Sequence, residues 1–155
     1  MKDPVREQVI KLLRGGQAHL TLDDVLKDFP AKLRAVKPKS APHSAWQLVE
    51  HMRLALWDIL EFSRDAKHVS PPWPEGYWPK DETPPTDAAW KKSIAAIQRD
   101  IAAMEKLVEN PKTDLYTKIP HGTGQNILRE ALLVADHNAY HVGQLMFLRR
   151  MLEAM

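Results

Sequence analysis

Three runs of more than twenty residues return an apolar side chain every three or four positions, with no proline inside any of them. That period is the 3.6-residue turn of an α-helix; a strand, whose faces alternate every second residue, cannot bury it. From Ser44, a plausible N-cap, the pattern is carried by Trp46, Leu48, Val49, Met52, Leu56, Ile59, Leu60 and Phe62. From Thr86 it is carried by Trp90, Ile94, Ile97, Ile101, Met104 and Leu107, and Pro111 ends it. The last run starts near Thr123 and, at about 30 residues, spans roughly 45 Å as helix. A shorter segment opens near Pro4, a residue type favoured in a first turn, and Val5, Val9, Ile10, Leu12 and Leu13 are its apolar positions. Gly15 and Gly16 interrupt it, and "LTLDDVLKDFP" reads as a further short helix capped by Thr21 and stopped by Pro30. One broken helix and two separate ones are both open at this point. No hairpin dipeptide or β-branched alternation competes. The expectation is an all-α chain: a four-helix bundle with an additional short N-terminal helix, in a single domain over residues 1–155.

Composition narrows the function. A net charge of +2 with no arginine-rich run gives no electrostatic footprint for a nucleic acid, so no nucleic-acid partner is expected. The absence of cysteine removes disulfides, thiolate nucleophiles and Cys-based zinc sites, and fits a reducing cytoplasm, the expected location. The first residues, "MKDPVREQVIKLLRGG", carry charge throughout and lack the apolar stretch of a signal peptide. No window approaches 18 uncharged apolar residues, so no membrane partner is expected either.

Between the first and second of these long helices lies "KHVSPPWPEGYWPKDETPP", longer than most helix–helix connections. Trp73, Tyr77 and Trp78 hold too much apolar area for a solvated linker. The segment is expected to cap one end of the bundle, to border a pocket as a lid, or both.

Chemistry concentrates in "VADHNAYHVGQL". His137 and His141 are one turn apart on the stripe Val134, His137, His141, Leu145, Leu148, so both rings point inward, about 6 Å apart at Cβ. His51 sits on a matching inward stripe, Leu48, His51, Ala55, Ile59, Phe62, where Ala55 leaves volume unfilled. Three imidazoles on two facing helices can hold a divalent ion and leave a position open for water or substrate. The competing reading makes them core histidines bonded to a carbonyl or to a carboxylate such as Asp58 or Glu130. His19, His43, His68 and His121 fall in loops or near caps and read as solvated, although His121 borders the start of the last helix. "HNAYH" lacks the glutamate of the HExxH zincin motif, and the paired Glu-x-x-His motifs of di-iron bundles are missing, which favours a mononuclear site. Imidazole ligands suit Zn, Ni, Fe or Co.

"WQLVEHMRLALWDILEF", the "WPEGYWP" loop, and "ADHNAYHVGQL" followed by "FLRRML" together resemble the DinB-like superfamily, from about Ser44 to the end. Its members include bacillithiol S-transferases and mycothiol-dependent maleylpyruvate isomerases. The resemblance implies a four-helix bundle, often a homodimer, with a three-histidine divalent-metal site falling on His51, His137 and His141. It also implies activation of a low-molecular-weight thiol, hence S-transfer or hydrolase-type chemistry on a small-molecule substrate. Many such proteins have no established activity, and a non-catalytic metal- or small-ligand-binding stress-response module is the alternative. No side chain is assigned as catalytic; the nucleophile expected is water or thiol held by the metal. Lys118 and His121 are candidates to contact such a thiol. Glu50 and Asp136 each adjoin a ligand in sequence but point about 100° away, which leaves them a supporting role at most.

Overall fold

The computed structural model describes residues 3–155, and among them there are five α-helices and no strand. They are α1 (Pro4–Arg14), α2 (Leu22–Leu26), α3 (Ala45–Arg64), α4 (Asp87–Glu109) and α5 (Ile127–Glu153). The helix starts follow local chemistry. Asp3 accepts from the Val5 amide with Pro4 in the first turn, and Thr86 accepts from the Ala89 amide. Thr21–Asp24 and Ser44–Gln47 each close a reciprocal capping box. Gly15 and Gly16, both at positive φ, end α1 and make α2 a separate helix. α5 begins three residues later than Thr123 suggests. Residues 119–125 form a turn in which the Ile119 amide donates to the Gln125 carbonyl, so Asn126 takes the cap and accepts from Arg129.

Four of the helices make the bundle. α3 packs on α4 and α5, and α1 packs on the same two from the opposite side. Directions follow from the cross-links. Ser93 donates to Glu50, and both Phe62 and Leu107 join the cluster of Leu115, Ile119 and Ile127, so α3 and α4 run parallel. The Arg6 guanidinium donates to the carbonyls of Val108, Asn110 and Thr113 at the end of α4, so α1 runs against it. α5 runs against α3, with His51 beside His137 and Phe62 beside His121. α2 lies across α5, held where Arg149 donates to the Val25 and Lys27 carbonyls. The core between the helices is built from fully buried Met52, Leu56, Leu60, Ile97, Met104, Val134 and Leu145.

Parallel neighbours cannot be joined by a short turn. The chain leaving α3 must return along roughly 30 Å of helix before α4 can start, and residues 65–86 make that return. They do not cap the end of the bundle. They run back beside α3, contacting it at Asp58, His51 and finally Ser44, whose hydroxyl donates to the Glu82 carbonyl. Of the three rings expected to be covered, Tyr77 is buried, Trp78 is half-buried and Trp73 is exposed. No helix of the described residues is long and apolar enough to cross a membrane.

Candidate metal centre

The antiparallel pairing of α3 and α5 brings His51 against His137 and His141. One nitrogen from each ring lies within 4.8 Å of the others. His51 Nε2 and His137 Nε2 are 3.0 Å apart. His51 and His141 are buried, and His137 is half-buried.

On two of the rings the outer nitrogen is already engaged. His51 Nδ1 is 2.8 Å from the Tyr77 carbonyl oxygen, which can only accept, so the ring carries its proton there and turns the Nε2 lone pair inward. His141 Nδ1 donates in the same way to Gln144 Oε1 at 2.7 Å, which leaves its Nε2 as the inward atom. This is the arrangement in which an outer partner sets the tautomer and orientation of a metal-ligating imidazole. His137 Nε2 then supplies the proton of its bond to His51, and an ion replacing that proton would gather both lone pairs. Two nitrogens about 2.1 Å from one ion stand roughly 3.0–3.4 Å apart when they are adjacent ligands, so the observed 3.0 Å fits. The residues present suit a divalent ion.

Electrostatics agree with ligand character. Burial, then the neighbouring His141 and His51, push the His137 imidazole down to about 3. Burial, with His51 and His43 close by, outweighs the Gln144 bond and brings His141 down to about 4. His51 is lowered as well, chiefly by burial. All three rings are therefore neutral at pH 7 with lone pairs available, which is the form that binds metal.

The surroundings correct several expectations. Trp78 lies parallel to His51 with centroids 3.8 Å apart, and parallel to His43 at 3.9 Å. Two rings that close to one indole centroid cannot share a face, so Trp78 is sandwiched between them. His43 is thus part of the wall of the site and not solvated, and burial lowers its pKa. His68 is not free either: it bonds Asp58 Oδ1 at 2.7 Å and meets the Trp57 ring edge-on. Asp58 therefore serves His68 and Tyr77, and Glu130 pairs with Arg129; neither touches the three histidines. Glu50 faces Ser93 of α4, and Ser93 together with Arg53 of α3 holds it ionised against the cost of burial. Asp136 is exposed. His121 bonds the Phe62 carbonyl at 2.7 Å, about 16 Å of helix rise from His51, and Lys118 is exposed on the same turn, so neither reaches the site. Ala55 is buried at 7% exposure and does not line the cavity next to this cluster.

Sequence reasoning missed the cavity next to this cluster. An open cavity of about 360 Å³ is lined by His43, Leu48, Gln144, Phe147, Leu148 and Met151 among others, mostly apolar. It touches the histidine cluster through two of its polar walls, Gln144 on His141 and His43 on Trp78. The apolar spacing of α5 hinted at Leu148, but residues 40–43 that complete the wall carry no periodic signal.

The family model of the DinB superfamily matches residues 5–145, nearly the whole chain. The chain belongs to the DinB superfamily. The match takes in α1 from Val5, α2, α3, α4 and α5 as far as Leu145, so the N-terminal helices are part of the DinB-superfamily pattern in this chain. No curated protein and no solved structure gives a significant match, so the finer chemistry of this DinB-superfamily member is argued from its own residues.

Proposed function

We propose that this chain is a divalent-metal-dependent enzyme acting on a small electrophilic substrate, by S-transfer from a low-molecular-weight thiol or by hydrolysis. The observation that supports it is the set of three clustered imidazole nitrogens, with the outer nitrogens of His51 and His141 already bonded to the Tyr77 carbonyl and Gln144. His51, His137 and His141 would hold the ion, with Zn, Ni or Fe all suited to imidazole ligands. A bound divalent ion lowers the pKa of a coordinated thiol or water and so supplies a nucleophile at neutral pH. The protein's own contribution is to orient the rings, through the Tyr77 carbonyl and Gln144, and to exclude water with Trp78. The 360 Å³ cavity beside the cluster suits an uncharged, largely apolar substrate portion. A second reading, a metal- or small-ligand-binding module without turnover, draws support from the placement of Glu50 and Asp136, neither of which offers a base to the cluster. We further propose a homodimer through the exposed α5 face carrying Leu132, Tyr140 and Phe147.

Elemental analysis of chelator-free protein tests the metal, with about one ion per chain expected and none in His137→Ala. A screen of low-molecular-weight thiols against monochlorobimane then separates the two readings. Turnover abolished in His51→Ala supports the enzyme, whereas metal without turnover for any thiol or ester substrate supports the module. Sedimentation equilibrium showing only a 17.7 kDa species would refute the dimer.

A further inference from the structure

Asp58 is buried on α3, seven positions after His51 and so on the same face two turns on. Its carboxylate accepts two bonds from the crossover segment: the Tyr77 hydroxyl at 2.6 Å on Oδ2 and His68 Nε2 at 2.7 Å on Oδ1. The same Tyr77 accepts the His51 Nδ1 proton on its carbonyl, and the next residue, Trp78, stacks on the His51 ring with planes 2° apart. Tyr77 is thus gripped at both ends, its hydroxyl by Asp58 and its carbonyl by His51. Two further residues of the segment meet the same α3 face, His68 at Asp58 and Trp78 at His51.

We infer that Asp58 is a positioning residue for the metal ligand His51, acting through Tyr77, so that docking of the crossover segment and metal affinity are coupled. The inference rests on the metal reading above. The physical chain is short. Without the Asp58–Tyr77 bond, residues 65–80 lose the buried anchor at the Tyr77 side chain, and the Tyr77 carbonyl no longer holds a fixed direction. The His51 ring then rotates more freely and samples the tautomer that turns a proton, not a lone pair, toward the ion. Because linkage is reciprocal, metal binding in turn tightens the docked segment. The bonds from Tyr77 and His68 offset the cost of burying this carboxylate.

The test uses full-length Tyr77→Phe and Asp58→Asn, with Co(II) as probe and affinity measured by competition against a chromophoric chelator. Each variant is expected to bind about three- to tenfold more weakly, less than the ten- to a hundredfold lost when an outer partner itself is removed, because the carbonyl of residue 77 stays in the chain. Arg6→Ala, a lesion at the far end of the bundle, controls for lost stability and is expected to bind as the parent does. In the parent, Co(II) is expected to slow hydrogen exchange at the Tyr77 and Trp78 amides. Unchanged Co(II) affinity in Tyr77→Phe, the gentler variant that folds even if Asp58→Asn does not, overturns the inference and leaves Asp58 a loop anchor. If the parent binds no metal, the metal reading fails separately and the metal-free protein decides. Solvent exchange of the His51 Nδ1 proton at least tenfold faster in Tyr77→Phe then upholds the positioning role, and an unchanged rate overturns it.

Discussion

Acid should unfold the metal-free protein through two particular rings. His137 and His141 sit at about 3 and about 4 in the folded chain, while both return to about 6.5 when it unfolds. The folded pKa values are depressed, so the unfolded state binds more protons below pH 6.5. Their contribution is complete above that value and is lost as the pH falls toward 4. At pH 5 each ring that is neutral when folded and ionised when unfolded costs RT ln(1 + 10^1.5), about 2 kcal/mol. Two rings give about 4 kcal/mol, which partial solvent access at His137 reduces to about 2–3 kcal/mol. Against a total stability of about 5–15 kcal/mol that is a large loss. Urea unfolding followed by circular dichroism, in excess chelator at pH 7.5 and 5.0, measures it. Titrating carboxylates contribute equally to the parent and to the double variant His137→Gln/His141→Gln, so the difference isolates the rings. The parent should lose about 2–3 kcal/mol more than the variant over this interval. Equal losses in the two proteins would refute the argument that burial keeps these imidazoles neutral.

The same depression makes metal affinity nearly independent of pH between 8 and 6, where ordinary histidines would compete with protons; Co(II) titrations across that range check it. Arg6→Ala removes the donors to the Val108, Asn110 and Thr113 carbonyls and should cost about 2–4 kcal/mol in urea unfolding. In Gly76→Ala the new methyl would meet Pro71 Cβ at 2.5 Å and Pro72 Cδ at 3.0 Å, so the crossover segment must shift. About 1–3 kcal/mol of destabilisation is expected, with proteolysis within residues 65–86 as the direct readout.

The helices and three of the rings were legible because their causes are local. Ser44, Thr21 and Thr86 announce helix starts by side-chain chemistry alone, and a spacing of four puts His137 and His141 on one face whatever packs against it. His51 was legible because its own stripe is apolar on either side. Thr123 misled as a start since Asn126, three residues on, caps equally well and the preceding glycines favour a turn. His43 and His68 were misread for a different reason. Their partners, Trp78 and Asp58, become neighbours only once the segment after α3 doubles back, and that follows from α3 and α4 being parallel, which no periodicity encodes. The apolar spacing along α3 is the same whether α4 runs with it or against it.

The order of the helices around the bundle also bears on how the chain can fold. α1 and α3 stand on one diagonal, and α4 and α5 on the other, touching only sparsely. No two successive bundle helices therefore form an antiparallel hairpin, the local unit from which many helical proteins assemble quickly. Arg6 waits for residues 108–113, Glu50 for Ser93, and His51 for His137, 86 positions away. Such sequence separations place this all-helical protein toward the slow end of its class, since each contact must first close a long loop. A ribosome that has released residues up to Asn110 has exposed α1, α3 and α4 without α5, the second of the two helices that pack on both α1 and α3. The last 27-residue helix, Ile127–Glu153, is at once the wall that completes the core and the carrier of two of the three histidines. Core closure and completion of the histidine cluster are one and the same event.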